Sequence, residues 1–336
     1  MVYRGANTHM DLKKTLNSCS SFFHAQGVHQ THLDITTNKK GVFFLAITMI
    51  IITLLMTSYT LRTGIQERKV IQKRVETMNS FVNSMQQDIE RKIFIAGFRS
   101  IFTLENKIIE TGSYIENVNA SFQEMFFNGT LNSQDEPIMI GATFNNITND
   151  LQSLGEKINI NVNLTNPKLN INQIDPWNLQ VTLNINFSVT DNTNLSSWNS
   201  PLTVIATIPL YYFDDPLYTL NTRGIIAIKI NQTTYNPLNN SVLLDHTTNQ
   251  YYKSSIEAPS FIDRLEGNIS INSINGIESL VNIQNLQSKG LDTEQKSIVD
   301  HIYFSSSNPS FCHISGLPSW FNIDNENLAQ YNSTCG

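Results

Sequence analysis

The spacing of apolar residues changes along this chain, and each change marks a different element. Residues 41–61, GVFFLAITMIIITLLMTSYTL, contain no charged side chain. A helix crossing a hydrocarbon core of about 30 Å needs roughly 20 apolar residues, and this stretch supplies them. Ser58 and the threonines can bond back to their own helix, so they are tolerated there. A buried core helix and a cleaved secretory signal are the competing readings. Soluble helices rarely run this long without a charge. A signal has an apolar region of about 7–15 residues and sits nearer the start. The stretch therefore predicts one transmembrane helix over residues 41–61, with the lipid bilayer as its partner.

Residues 62–111 continue as a long amphipathic helix. Ile71, Val75, Met78, Val82, Met85 and Ile89 follow alternating steps of four and three, which makes one narrow apolar seam. Packing within the chain accounts for the seam more simply than a coiled-coil dimer. From Ile93 the pattern widens through Phe94, Ile95, Phe98, Ile101, Phe102, Leu104, Ile108 and Ile109, so this half should be buried. Gly64 is a candidate hinge and Gly112 a candidate C-cap. Residues 113–128 and 144–155 read as short helices, the first ended by Asn128 and Gly129.

The period then becomes two. Ile158, Ile160, Val162 and Leu164 alternate with polar residues, Pro167 interrupts, and Leu169 and Ile171 resume. Leu179, Val181, Leu183, Ile185, Phe187 and Val189 alternate without a fault; residues 191–194 supply a turn, and residues 202–210 return. These strands predict an antiparallel sheet with one wet face. Its dry face needs a cover, and the apolar half of the long helix is the obvious one. Residues 224–230, GIIAIKI, read as a further strand. Residues 242–252 and 260–265 read as short helices, and residues 277–281 and 298–304 as core. The expected class is α+β: a leader over 1–40, the span over 41–61, its extension over 62–111 as a stalk and core helix, and a head over 112–336.

Charge decides less. Arg4, Lys13, Lys14, Lys39 and Lys40 precede the span and Arg62, Arg68, Lys69, Lys73 and Arg74 follow it, so the positive-inside count is balanced. Size favours the C-terminal side being outside the cell, since residues 62–336 make a whole domain and residues 1–40 do not. All ten Asn-X-Ser/Thr sequons follow the span, at Asn119, Asn128, Asn146, Asn163, Asn186, Asn194, Asn231, Asn239, Asn268 and Asn332. Such sequons are glycosylated only on translocated chain, although a segment this rich in Asn, Ser and Thr produces several by chance. Residues 1–40 have no clear period and predict a disordered cytoplasmic leader. Only 15% of the 336 residues are charged, with net charge −6, and no basic face points to nucleic acid. Of the three cysteines, Cys312 and Cys335 lie after the span. Outside the cytoplasm they can pair, and closing a loop of about 20 residues would stabilise the C-terminus by roughly 3 kcal/mol.

Catalytic signals are sparse. No HExxH, GxSxG, Walker loop or GxGxxG occurs, and no cofactor or metal site is expected. Asp245 with His246 and Asp300 with His301 are adjacent pairs whose side chains point apart. Asp214 and Asp215 before Pro216 can bind a cation or do acid–base work, but an Asx turn is the simpler account. Arg264 with Glu266 and Glu278 reads as an ion network, buried or on the surface. Tyr211, Tyr212, Phe213, Tyr218, Tyr251, Tyr252, Tyr303, Trp320 and Phe321 cluster late. Such rings are core or, if exposed, a stacking surface for a ligand.

Lys39, Lys40 and Gly41, then a pure apolar helix running into an amphipathic one, then a sheet, resemble the type IV pilin and archaeal pilin-like design. That resemblance implies peptidase cleavage after the pair Lys40 and Gly41, and an exposed helix that serves as membrane anchor or filament core. DPWNLQVTLNINFSVTD, FDDPLYTLNT, APSFIDRLEGN, GIESLVNI and PSWFNID also resemble segments of uncharacterised single-span archaeal surface proteins that begin KKGVFF. Filament-forming pilins usually carry a Glu a few residues after the cut, whereas Val42, Phe43, Phe44, Leu45 and Ala46 stand here. The resemblance thus implies an anchored surface protein or minor pilus component more than a major pilin. Its partners would be other pilin-like or surface proteins. An adhesion module using the late aromatics is the alternative, and a hydrolase a more distant one.

Overall fold

The computed structural model describes residues 39–193 and 196–336. Of the expected leader over residues 1–40, positions 1–38 lie outside the described residues, as does the sequon at Asn194, while Lys39 and Lys40 belong to the first helix. The chain divides into two units, one ending at Arg68 and the other running from Lys69 to Gly336. Helix α1 is Lys39–Thr111.

In the first unit every position from 41 to 62 is exposed. This is one helix long and apolar enough to cross a membrane. Its threonines turn inward to the backbone, as in Thr48 Oγ1 donating to Phe44 O at 2.8 Å and Thr57 Oγ1 to Thr53 O at 2.9 Å. Those bonds satisfy the hydroxyls without water. The helix is continuous through Gly64, the candidate hinge.

The second unit opens on the remainder of α1. Met78, Val82, Met85 and Ile89 are buried in the same core as the sheet, so the seam packs within the chain from Met78 onward. Ile71 and Val75, at the start of the seam, are exposed. Ile93, Ile101, Leu104 and Ile108 are buried, but Ile95, Phe102 and Ile109 are not. The widened apolar pattern therefore overstates the buried arc. A helix resting on one sheet buries one side only, and these three residues recur every seventh position on the other side. Gly112 takes φ +64° and donates to Ile108 O at 2.9 Å, which ends α1.

Helix α2, Val118–Asn128, starts later than expected. Its cap is Asn117, and the preceding Ile115 N bonds to Leu265 O at 3.0 Å instead of joining a helix. A small hairpin follows, β1 (Thr130–Leu131) with β2 (Gln134–Asp135). Helix α3, Phe144–Glu156, begins with a capping box between Thr143 and Asn146.

Strands β3 (Ile160–Asp175), β4 (Asn178–Asp191) and β5 (Ser197–Pro209) form an antiparallel sheet in that order. Pro167 does not end β3; the register shifts between Thr165 and Lys168 and the strand continues. Leu179, Val181, Leu183, Ile185, Phe187 and Val189 are all buried, as period two requires of one dry face. α1 shares that core, and Gly97 lies tight against it. A Cβ built there would lie 2.5 Å from Ile208 Cδ1 and 3.1 Å from Val181 Cγ2.

Short elements follow: α4 (Pro216–Asn221), α5 (Asn240–Thr248), β6 (Tyr252–Ser254), α6 (Phe261–Glu266), β7 (Ile277–Ser279), α7 (Ile283–Ser288), α8 (Asp300–Tyr303), β8 (Phe311–His313) and β9 (Asn322–Asp324). β6 pairs with β7 and β8 with β9, each antiparallel. Residues 224–230, expected as a strand, are not one. Ile226, Ile228 and Ile230 are buried alternately, but the backbone makes only a bridge to the segment around Asp214, through Asp215 N to Ile228 O at 2.8 Å and Ile230 N to Phe213 O at 3.0 Å. An extended segment laid on a core shows the same period as a strand, because both are pleated. Cys312 and Cys335 are joined by a disulfide.

Gly97→Ala should destabilise the second unit by about 1–3 kcal/mol through forced repacking of Ile208 and Val181. Gly64→Ala meets no atom within 4 Å and should leave the denaturant midpoint unchanged. Equal midpoints for the two variants would refute this account of the helix–sheet contact.

Candidate functional site

The titratable side chains that converge lie in the later half of the second unit. Asp215 caps α4, its Oδ1 accepting from Leu217 N at 2.9 Å, as the Asp-before-Pro pattern suggests. Its other oxygen accepts from Arg264 Nη1 at 2.6 Å and from Tyr252 Oη at 2.8 Å. Arg264 sits in the last turn of α6, held there by the Ser260 cap. Its Nη1 also donates to Asp300 Oδ2 at 2.9 Å, and its Nη2 to Asp300 Oδ1 at 3.3 Å and to Ile277 O. Asp300, the first residue of α8, further accepts from Ser279 N at 2.9 Å, Ser279 Oγ at 2.8 Å and His301 N at 2.6 Å. Asp215, Arg264 and Asp300 are all fully buried.

One guanidinium thus stands between two carboxylates. Burial opposes the charge on Arg264, but the two carboxylates outweigh it and keep the guanidinium protonated. Burial pushes the Asp215 carboxyl up, against the pull of Arg264, with the Asp300 charge adding to the rise. Burial likewise raises the hydroxyls of Tyr218 and Tyr252 well above the usual tyrosine range.

A second group lies on β7 and α8. Glu278 Oε1 is 3.1 Å from Lys253 Nζ, and Glu278 Oε2 is 3.7 Å from His301 Nε2, an ion-pair distance too long for a hydrogen bond. Burial alone would raise Glu278; His301 and Lys253 outweigh it and hold the carboxyl at about 2. Lys253 also lies over the Tyr331 ring at 4.2 Å and donates to Gln330 Oε1 at 2.8 Å.

The expected network of Arg264 with Glu266 and Glu278 is therefore corrected. Arg264 pairs with Asp215 and Asp300, Glu278 with Lys253 and His301, and Glu266 accepts from Val118 N at 2.8 Å. Glu266 lies two residues beyond Arg264 on α6, so it faces elsewhere. Asp300 and His301 point to different partners, as adjacent residues must. His246 is fully buried with neither ring nitrogen hydrogen-bonded, and burial, aided by the Lys253 charge, lowers it to about 4. Asp300 enters the sequence reading only as the neighbour of His301, and Lys253 does not enter it. The available signal was a carboxylate inside the apolar run 298–304, since a charge amid core residues needs a buried partner.

The aromatic residues divide. Phe213, Tyr218, Tyr252, Tyr303 and Phe321 are buried, Tyr251 and Trp320 are half-buried, and Tyr211 and Tyr212 are exposed. The Tyr211 and Tyr212 rings are 4.0 Å apart with a 2.5 Å bond between their hydroxyls. A shallow groove of about 510 Å³ lies elsewhere, beside α1, lined by Lys73, Glu76, Thr77, Ser80 and Phe81 among others. Among the described residues no cluster of three His, Cys, Asp or Glu is placed to hold a metal ion. Lys40 and Gly41 lie within α1. Asn128, Asn163, Asn186, Asn231, Asn239, Asn268 and Asn332 are exposed, and Asn119 and Asn146 half-buried.

No family model, curated protein or solved structure matches this chain.

Arg264→Met should cost about 3–5 kcal/mol, because it leaves two carboxylates buried without their cation. Adding Asp215→Asn and Asp300→Asn to it should restore part of that loss. An unchanged melting temperature for the single variant would contradict the network's role. Acidification gives a separate check. Unfolded histidine takes up a proton near pH 6.5, and folded His246 does so only at about 4. Stability should therefore fall as pH drops through that window, by on the order of 3 kcal/mol in all. His246→Phe should flatten the fall, and an equal slope in the variant would exclude His246 as its source.

Proposed function

We propose that this protein is a membrane-anchored, non-enzymatic structural component of the cell surface, pilin-like in plan. Residues 41–61 hold it in the bilayer as a single-pass anchor, and the C-terminal domain lies outside. The observation that carries this reading is the double use of α1. Residues 41–61 of it are uncharged and exposed at every position, and buried residues between Met78 and Ile108 belong to the core of the second unit. The pairing of Asp215, Arg264 and Asp300, and of Glu278 with Lys253 and His301, supports a structural role for these groups. All but the half-buried Lys253 are buried, and each is engaged with a protein partner, which is how buried charges stabilise a particular arrangement of segments.

Two exposed features suit contact with other surface molecules. Ile95, Phe102 and Ile109 form an apolar stripe for a neighbouring surface protein. The exposed Tyr211 and Tyr212 pair favours a second reading, a stacking contact with a ligand in adhesion. The chain Val42, Phe43, Phe44, Leu45 and Ala46 has no carboxylate to pair with a neighbour's amino terminus, which favours an anchor or minor component over a major filament subunit.

Full-length protein should stay with membranes through an alkaline wash, and protease added outside intact cells should remove the second unit. Ile51→Lys, placed mid-span, adds about 2.5–3.5 kcal/mol to insertion and should raise the washed-out fraction. Wild-type protein in the wash, or a second unit protected from external protease, would end this reading. Mass spectrometry of the mature N-terminus separates the routes: a chain beginning after Gly41 supports pilin-type processing, and an intact 39–45 peptide excludes it.

A further inference from the structure

We propose that Asn163 and Asn186 form one glycan-attachment patch on the open face of the β3–β4–β5 sheet, carrying a single glycan per molecule, on Asn163 first. The proposal rests on the second unit lying outside the cell. It follows from strand register. A sequon spaces its asparagine and hydroxyl residue two apart, and a strand repeats every two, so both members of a strand sequon share a face. Asn163 and Thr165 on β3 are exposed, as is Asn186 on β4, with Ser188 half-buried beside it.

The two sequons are also matched across the strands. Asn163 stands opposite Ser188, and Thr165 stands opposite Asn186. Each sequon's hydroxyl residue is therefore the cross-strand neighbour of the other's asparagine, with Cβ atoms about 5 Å apart. A sugar on Asn163 covers Ser188, the hydroxyl an oligosaccharide transferase must read to modify Asn186. A sugar on Asn186 covers Thr165 in the same way. The first glycan thus blocks the second.

Position in the sheet sets the order. β3 is an edge strand, and its ladder is interrupted just after Thr165. β4 is central, and Asn186 is paired on both sides, to Thr165 and to Pro201. Gripping an edge strand disturbs one ladder and gripping a central strand disturbs two. Neither Asn163 nor Asn186 has its amide engaged in a hydrogen bond among the described residues. By contrast, Asn119 accepts from Ile171 N at 3.4 Å, Asn146 is part of the α3 cap, and Asn239 caps α5. The surrounding face offers a bed for the sugar, with exposed Asn161, Asn170, Asn172, Asn184 and Thr203 and one charge, Lys168.

In the transfer, Asn163 Nδ2 attacks the anomeric carbon of a diphosphate-activated sugar. The bond from that carbon to the diphosphate oxygen breaks, the electron pair leaves on the diphosphate, a carbon–nitrogen bond forms, and the amide gives up one proton.

The test uses full-length protein purified from the membranes of its native source. Cleavage at glutamates alone leaves residues 157–257 as one fragment, which keeps both asparagines together. Tandem mass spectrometry of that fragment should show sugar on Asn163 in most modified molecules and never on both asparagines at once. Asn163→Gln should move the sugar to Asn186. Fragments bearing sugar on both, or Asn186 still bare in the variant, would overturn the proposal. So would bare Asn163 and Asn186 in molecules glycosylated at Asn128 or Asn239. External proteolysis of intact cells reports separately on which side the second unit lies, so a failure there is distinguishable from a failure of the patch.

Discussion

The second unit depends on one shared core, formed by α1 from Met78 onward together with the dry face of β3, β4 and β5. A sheet with one apolar face cannot stand in water uncovered. Met78, Val82, Met85, Ile89, Ile93 and Ile101 are buried in one core with Leu179, Val181, Leu183 and Ile185. Each such side chain, fully buried, contributes roughly 1.5–3 kcal/mol. At Gly97 a larger residue would collide with β4 and β5 side chains. The rest of α1's circumference is left over, which is why Ile95, Phe102 and Ile109 face solvent.

The later half is built differently. Its helices and strands are short, and segments of this length have little stability of their own. What ties them is a set of buried charges: Arg264 reaches from α6 to the cap of α4, the start of α8 and the backbone of β7. Glu278 links β7 to Lys253 on β6 and to His301 on α8. Desolvating these ions is costly, and an apolar substitute of matching shape could hold as well. Their particular effect is geometric, since each partner must arrive at one place for the other to be satisfied.

These arrangements bear on function through what remains outside. Asp215, Arg264, Glu278 and Asp300 are turned inward, and the open face of the sheet is largely amide and hydroxyl with little charge. Such a face neither attracts nor repels ions at long range. It fits the surface role proposed above.

The sequence by itself determined the elements whose pattern is local. The uncharged run 41–61, the seam from Ile71 to Ile89 (buried only from Met78 onward), the alternation of β4 and the caps at Gly112 and Gly129 could all be read from spacing alone. Period and cap chemistry are properties of neighbours along the chain. Only the tertiary structure decided three other matters. The run 224–230 has a strand's period but no ladder partner. Ile95, Phe102 and Ile109 fit a buried helix, yet one sheet can cover only one side of it. Arg264 could not be matched to its carboxylates, because Asp215 and Asp300 lie far from it in the chain. Each of these depends on which distant segment arrives alongside, and local spacing holds no record of that.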